Sequence, residues 1–169
     1  MLADLLRAVA HLFAYPGAQH LQNIHPLIVH FPIALLFTAA LMYWLGFLAR
    51  RESWQWTGLW TLGLGAVGAA AAAATGLYAA PGVMLAPSVK AALLTYHKWI
   101  MISVLILSAA LALWALAARP MPVRGRGAFL ALLLVVAALI AKGADYGGRM
   151  VYDYNAGGYA CGQPIEFSQ

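Results

Sequence analysis

The chain has 169 residues, 64% of them hydrophobic and 9% charged, whereas a soluble domain carries roughly 25% charged residues. That composition excludes a water-soluble globular domain and, with a mean hydropathy of +0.80, indicates one integral membrane domain over residues 1–169. The net charge of +5 comes from ten Lys and Arg against five Asp and Glu; in a membrane protein it reports topology rather than nucleic-acid binding. Cys161 is the only cysteine, which excludes an internal disulfide, a C-x-x-C-H attachment site for c-type haem and any thiolate-bound metal cluster.

In chain order, residues 1–22 read as an interfacial helix and turn. Leu2, Leu5, Leu6, Val9, Leu12 and Phe13 recur at spacings of three and four, with Asp4, Arg7 and His11 elsewhere on the wheel. This is the pattern of an amphipathic helix lying in the membrane surface rather than of a signal peptide. Tyr15-Pro16-Gly17 ends it.

Four apolar segments follow, near 26–49, 55–79, 92–118 and 127–144, each about the 20 residues needed to cross a hydrocarbon core of about 30 Å. The fourth is the shortest, and Lys142 in its last turn can snorkel to the interface. Short connections predict an all-α, antiparallel four-helix transmembrane bundle. Arg50 and Arg51 lie in the first connection and Arg119, Arg124 and Arg126 in the third. By the positive-inside rule these loops are cytoplasmic, which places both termini, including the tail over 145–169, on the periplasmic side. Trp44, Trp54, Trp56, Trp60 and Trp114 gather at the arginine-rich level and all tyrosines but Tyr43 at the other, as interfacial belts do.

The second segment is rich in small residues. Gly65, Gly68, Ala69, Ala72 and Gly76 permit close helix packing, or make room for a flat cofactor.

Ionisable groups collect at the tyrosine end. The first span opens H-P-L-I-V-H-F-P-I-A-L from His25 to Leu35; Pro26 suits a first helical position, and Pro32 removes a backbone bond to Ile28 and is expected to kink the helix. His30 lies about 6 Å below Pro26 along the helix axis, and His97 occupies a matching depth in the third span. In an up-down-up-down bundle these spans are diagonal, so the two imidazoles are expected at one level with room for a porphyrin between them, as a b-type haem requires. Lys98 and Arg149 would neutralise its propionates. A quinone or proton site, or a purely structural role in hydrogen bonding, are the alternatives for the same pair. His25 lies about 140° round the helix from His30, so it is expected at the interface, capping the helix or contacting the tail, and not on the same metal.

Gly143, Gly147 and Gly148 at the end of the fourth span are expected to terminate the helix and fold the chain back over the outer mouth. Asp145 and Arg149 are spaced to pair if the helix persists; otherwise Asp145 is a proton acceptor or a partner for a histidine. His25, Asp145, Tyr146 and Tyr152 complete the set of candidate site residues. The segment from Asn155 to Gln169 reads as an exposed tail able to dock a partner.

Four stretches carry a resemblance to a bacterial membrane family, the domain of unknown function 2231. They are His25 to Leu35, the pair Thr75-Gly76, His97, and G-G-R-M-V-Y from Gly147 to Tyr152. The resemblance covers most of the chain. It implies a four-span domain of the bacterial inner membrane, often associated with c-type cytochromes or other respiratory proteins, and it makes His25, His30 and His97 site positions. Members tend to follow the last motif with a histidine, where this chain reads D-Y-N-A-G-G.

The leading expectation is therefore a small electron-transfer subunit with one b-type haem held by His30 and His97, belonging to a respiratory or cytochrome-linked complex. A periplasmic c-type cytochrome is the expected partner, beside membrane lipid. A cofactor-free scaffold of a membrane complex is the alternative. A transporter or proton conductor using His30, His97 and Asp145 is a third, opposed by the scarcity of polar residues in the lower half of the bundle.

Overall fold

The computed structural model describes residues 24–156; the interfacial helix expected over 1–22 and the chain from 157 onward lie outside the described residues. Within them the fold is helical with no strand: α1 His25–Leu48, α2 Glu52–Ala79, α3 Thr95–Ala118 and α4 Arg126–Tyr152. All four are long and apolar enough to cross a membrane. α1 is apolar nearly all round, the signature of a span rather than of a surface helix.

Glycines set the closest approach in the bundle. A Cβ placed on Gly58 would lie 2.8 Å from Tyr43 Cδ2, on Gly65 2.7 Å from Leu36 Cδ2, on Gly68 2.8 Å from Phe31 Cδ1, and on Gly76 2.8 Å from His25 Cε1. Numbers fall along α1 as they rise along α2. The small-residue stripe of α2 is thus occupied by α1 of the same chain, which is the close packing that small residues allow where lipid and helix are equally apolar. Pro32 is buried against Gly68 within an α1 that runs unbroken through it.

α2 next packs on α3, α3 on α4, and α4 least extensively on α1, so α1 and α3 stand diagonally. The core between them contains Leu36, Tyr43, Leu62, Leu111, Phe129, Leu133 and Ile140. Tyr43 is fully buried. Its hydroxyl donates to the Pro120 carbonyl at 2.9 Å, and its ring meets Phe129 edge-on at 4.9 Å. Trp44 Nε1 donates to the Leu130 carbonyl at 3.3 Å. These contacts fasten α1 to α4 at the arginine-loop end.

At the other end the chain between α2 and α3 makes a 3-10 turn at Ala80–Gly82, a helical turn at Pro87–Val89 and a π turn at Lys90–Leu94. The Thr95 hydroxyl donates to the Lys90 carbonyl at 3.3 Å, which ties off the widened turn. Single π turns recur at functional sites because they reset the register of everything downstream, and here the reset stands just before His97. Leu85, Ala86, Val89 and Leu93 form a second apolar cluster with Met150 and Tyr154.

The end of α4 departs from expectation. The helix does not stop at Gly143–Gly148 but runs on to Tyr152. None of these three glycines has a positive φ; Gly143 and Gly147 serve close approach instead. An added Cβ at Gly143 would overlap Met101 Cε, and one at Gly147 would lie 3.3 Å from His97 Cε1. The persisting helix also re-pairs its charges: Lys142 meets Asp145 at 3.4 Å and Arg149 meets Asp153 at 3.5 Å. The expected Asp145–Arg149 pair is replaced by these two exposed ones.

Candidate functional site

His97 enters the bundle three residues after the π turn. Its Nδ1 lies 2.8 Å from the Gly143 carbonyl of α4. A carbonyl only accepts, so Nδ1 carries the proton and Nε2 the lone pair. The glycine at 147 lets the imidazole lie against the α4 backbone.

The histidine facing it is His25, not His30. The His25 and His97 rings stand 6.4 Å apart between centroids, with planes at 84°. Because positions 25 and 30 diverge by about 140° on a helix, turning His25 inward turns His30 outward, and His30 is exposed on α1. The expected His30–His97 pair is corrected accordingly. His25 does not cap α1 either: Ile24 holds the N-cap position, and no side chain caps the helix.

His25 Nδ1 lies 3.2 Å from Thr75 Oγ1. The threonine hydroxyl, 3.0 Å from both the Ala71 and Ala72 carbonyls, spends its single proton on that backbone. It therefore accepts from the His25 Nδ1–H. The absent side chain at Gly76 gives the imidazole its seat. Both histidines are thus half-buried, oriented through Nδ1 by groups on α2 and α4, and presented to one another across the bundle. An anchored Nδ1 is the arrangement that fixes tautomer and orientation in imidazoles that bind metal through Nε2.

The remaining candidates lie around this pair rather than in it. Lys98 projects its ammonium over the Trp99 ring, 5.3 Å from the centroid. Arg149 and Asp145 are held in their exposed ion pairs. Tyr146 stacks on Tyr96 at 6.0 Å and receives Lys142 on its face at 4.9 Å. Tyr152 is exposed. Among the described residues no three His, Cys, Asp or Glu side chains form a metal-holding group, so an ion here would have two protein ligands.

Sequence reasoning did not assign Thr75, Gly76 and Gly143 to the site. The signal was the Thr-Gly pair closing α2: a hydroxyl beside a missing side chain, one helix away from a histidine. The four stretches that carry the resemblance converge on this one place. His25 comes from the first, Thr75 and Gly76 from the second, His97 from the third and Gly147 from the fourth. Neither a curated protein nor a solved structure matches the chain. A family model described as predicted membrane protein (DUF2231) does match, over residues 21–159, and the chain belongs to that family.

Proposed function

We propose that the protein is a small electron-transfer subunit of the bacterial inner membrane, binding one b-type haem through His25 and His97. In this reading the four helices form an antiparallel bundle with the arginine loops cytoplasmic, and the histidine pair stands near the periplasmic face. A respiratory complex, or a periplasmic c-type cytochrome, is the electron partner.

The observation that carries the proposal is the diagonal pair itself. With metal–imidazole bonds of about 2.0 Å, an ion held in line between two imidazoles sets their centroids roughly 6 Å apart; the observed separation is 6.4 Å. Two axial imidazoles suffice for haem, whose remaining iron ligands come from the macrocycle. The seam between α1 and α4 is the least extensive of the four side-by-side packings, and its fastenings at Tyr43 and Trp44 lie at the far end. It is the side on which a flat ring would enter. His25 and His97 would hold the iron, each imidazole oriented through its Nδ1 by Thr75 or Gly143. Haem would supply the one-electron chemistry. Lys98 is the nearest candidate for a propionate, since Arg149 is already engaged with Asp153.

The competing reading is a cofactor-free structural subunit, favoured by the same hydrogen bonds, which clasp α1 to α2 and α3 to α4. Oxidised and dithionite-reduced absorbance spectra of detergent-purified protein from a haem-replete host separate the two. The proposal expects a Soret band and a sharp reduced α band near one haem per chain. Both should be lost in His25→Ala and His97→Ala and kept in His30→Ala. A colourless wild type that takes up no added haem overturns it in favour of the scaffold.

A further inference from the structure

At the arginine-loop end the structure holds a cavity of about 760 Å³, open on one side, between the end of α1, the start of α2, the end of α3 and the loop into α4. Arg50, Arg119 and Arg126 line it against one carboxylate, Glu52. Glu52 accepts from Trp56 Nε1 at 3.1 Å. The ion pairs between described side chains both lie at the opposite end of the molecule, so among the described residues no carboxylate pairs with these three guanidiniums.

A further observation marks the cavity as suited to an anion. The Nε of Arg126 is buried with no hydrogen-bond partner, its guanidinium lying 5.8 Å from the Phe47 ring centroid; a buried charged donor left unmade is costly and calls for an acceptor. Arg126 also opens α4, whose first amides add their partial positive charge.

We infer that this cavity binds a phosphate group, by its three guanidiniums and the first turn of α4. Phe47, Met121 and Val123 add an apolar wall, which suits the phosphodiester of an anionic phospholipid whose glycerol and first acyl carbons lie against it. Arginine forks match phosphate oxygens in pairs, and basic pockets between helices at a cytoplasmic surface are where anionic headgroups are recognised. The inference does not depend on haem.

The test uses the full chain in mild detergent. Its thermal midpoint is measured with added phosphatidylglycerol, phosphatidylcholine, or inorganic phosphate, and bound lipid is counted by native mass spectrometry. Phosphatidylglycerol should raise the midpoint and be retained at about one molecule per chain, and phosphatidylcholine should not. Arg119→Gln and Arg126→Gln should each weaken retention roughly fivefold, from about 1 kcal/mol per cation. Arg124→Gln, on a residue that does not line the cavity, should leave it unchanged. Equal stabilisation by inorganic phosphate, lost in the same variants, supports the site and assigns it to a soluble phosphate. Equal retention of the two lipids, with no effect of phosphate, overturns the inference. So does undiminished phosphatidylglycerol binding in both variants.

Discussion

Gly76→Ala tests whether the histidine pair depends on a missing side chain. The new methyl would lie 2.8 Å from His25 Cε1, 3.1 Å from Nδ1 and 3.3 Å from Nε2. Ordinary contact begins about 0.6–0.7 Å farther out, so the imidazole or the start of α1 must move by that amount. The ring is held through Nδ1 by Thr75, the residue preceding Gly76 in the same helix, so moving it away from position 76 strains the 3.2 Å hydrogen bond. Overpacking of this kind costs about 1–3 kcal/mol, against which alanine returns up to about 1 kcal/mol of helix propensity. Relative to a glycine-to-alanine change that meets no neighbour, the propensity term cancels and the expected loss is about 1–3 kcal/mol. For a chain of this size that separates the two thermal midpoints by about 2–12 °C. Gly63→Ala is the internal control, because a Cβ there meets nothing within 4 Å; it should be neutral or raise the midpoint. The assay is thermal unfolding of both variants in one detergent, followed by circular dichroism. A Gly76→Ala protein as stable as Gly63→Ala would refute the packing argument and the seat it assigns to His25.

Two further outcomes follow from the same contacts. Tyr43→Phe removes the hydroxyl that donates to the Pro120 carbonyl and leaves that acceptor buried, so the thermal midpoint should fall by the equivalent of about 1–3 kcal/mol; an unchanged midpoint would show that α1 is not fastened to the α3–α4 connection there. In a Cys161→Ser background, a cysteine at Met84 should react with a membrane-impermeant maleimide added outside spheroplasts. One at Val123, in the arginine-bearing connection, should react only after permeabilisation. The reverse labelling pattern would overturn the proposed orientation.

Much of the fold could be read from hydropathy alone. The run from Trp99 to Ala118 carries no charge and is long enough to read as a span, and arginines at 50, 51, 119, 124 and 126 mark where two connections lie. Boundaries involving glycine were harder. Glycine serves a positive φ or a close approach, and the two uses leave the same letter in the sequence. Gly125 takes the first, with φ 75° at the start of α4. Gly143 and Gly147 take the second, where α4 leans on Met101 and His97, and so a helix expected to end near 144 continues to Tyr152. What distinguishes them is the neighbouring helix, which no local pattern names.

The histidines show the same limit in a sharper form. Depth along a helix follows from counting residues, and it placed His30 and His97 at one level; rotation about the axis does not, because α1 is apolar on every side and its hydrophobic pattern has no preferred face. Rotation is instead set by which face of α1 meets the small stripe of α2. Pro32 and Leu36 press on Gly68 and Gly65, Tyr43 on Gly58, and the same face carried back to the helix start brings His25 onto Gly76. A step from 32 to 25 is seven residues, close to two turns at 3.6 per turn, so His25 inherits the inward face while His30 is swung toward lipid. The positions of glycine in α2 therefore choose which histidine faces the bundle. Filling Gly76 while leaving His25 untouched is the most direct way to separate the seat from the ligand.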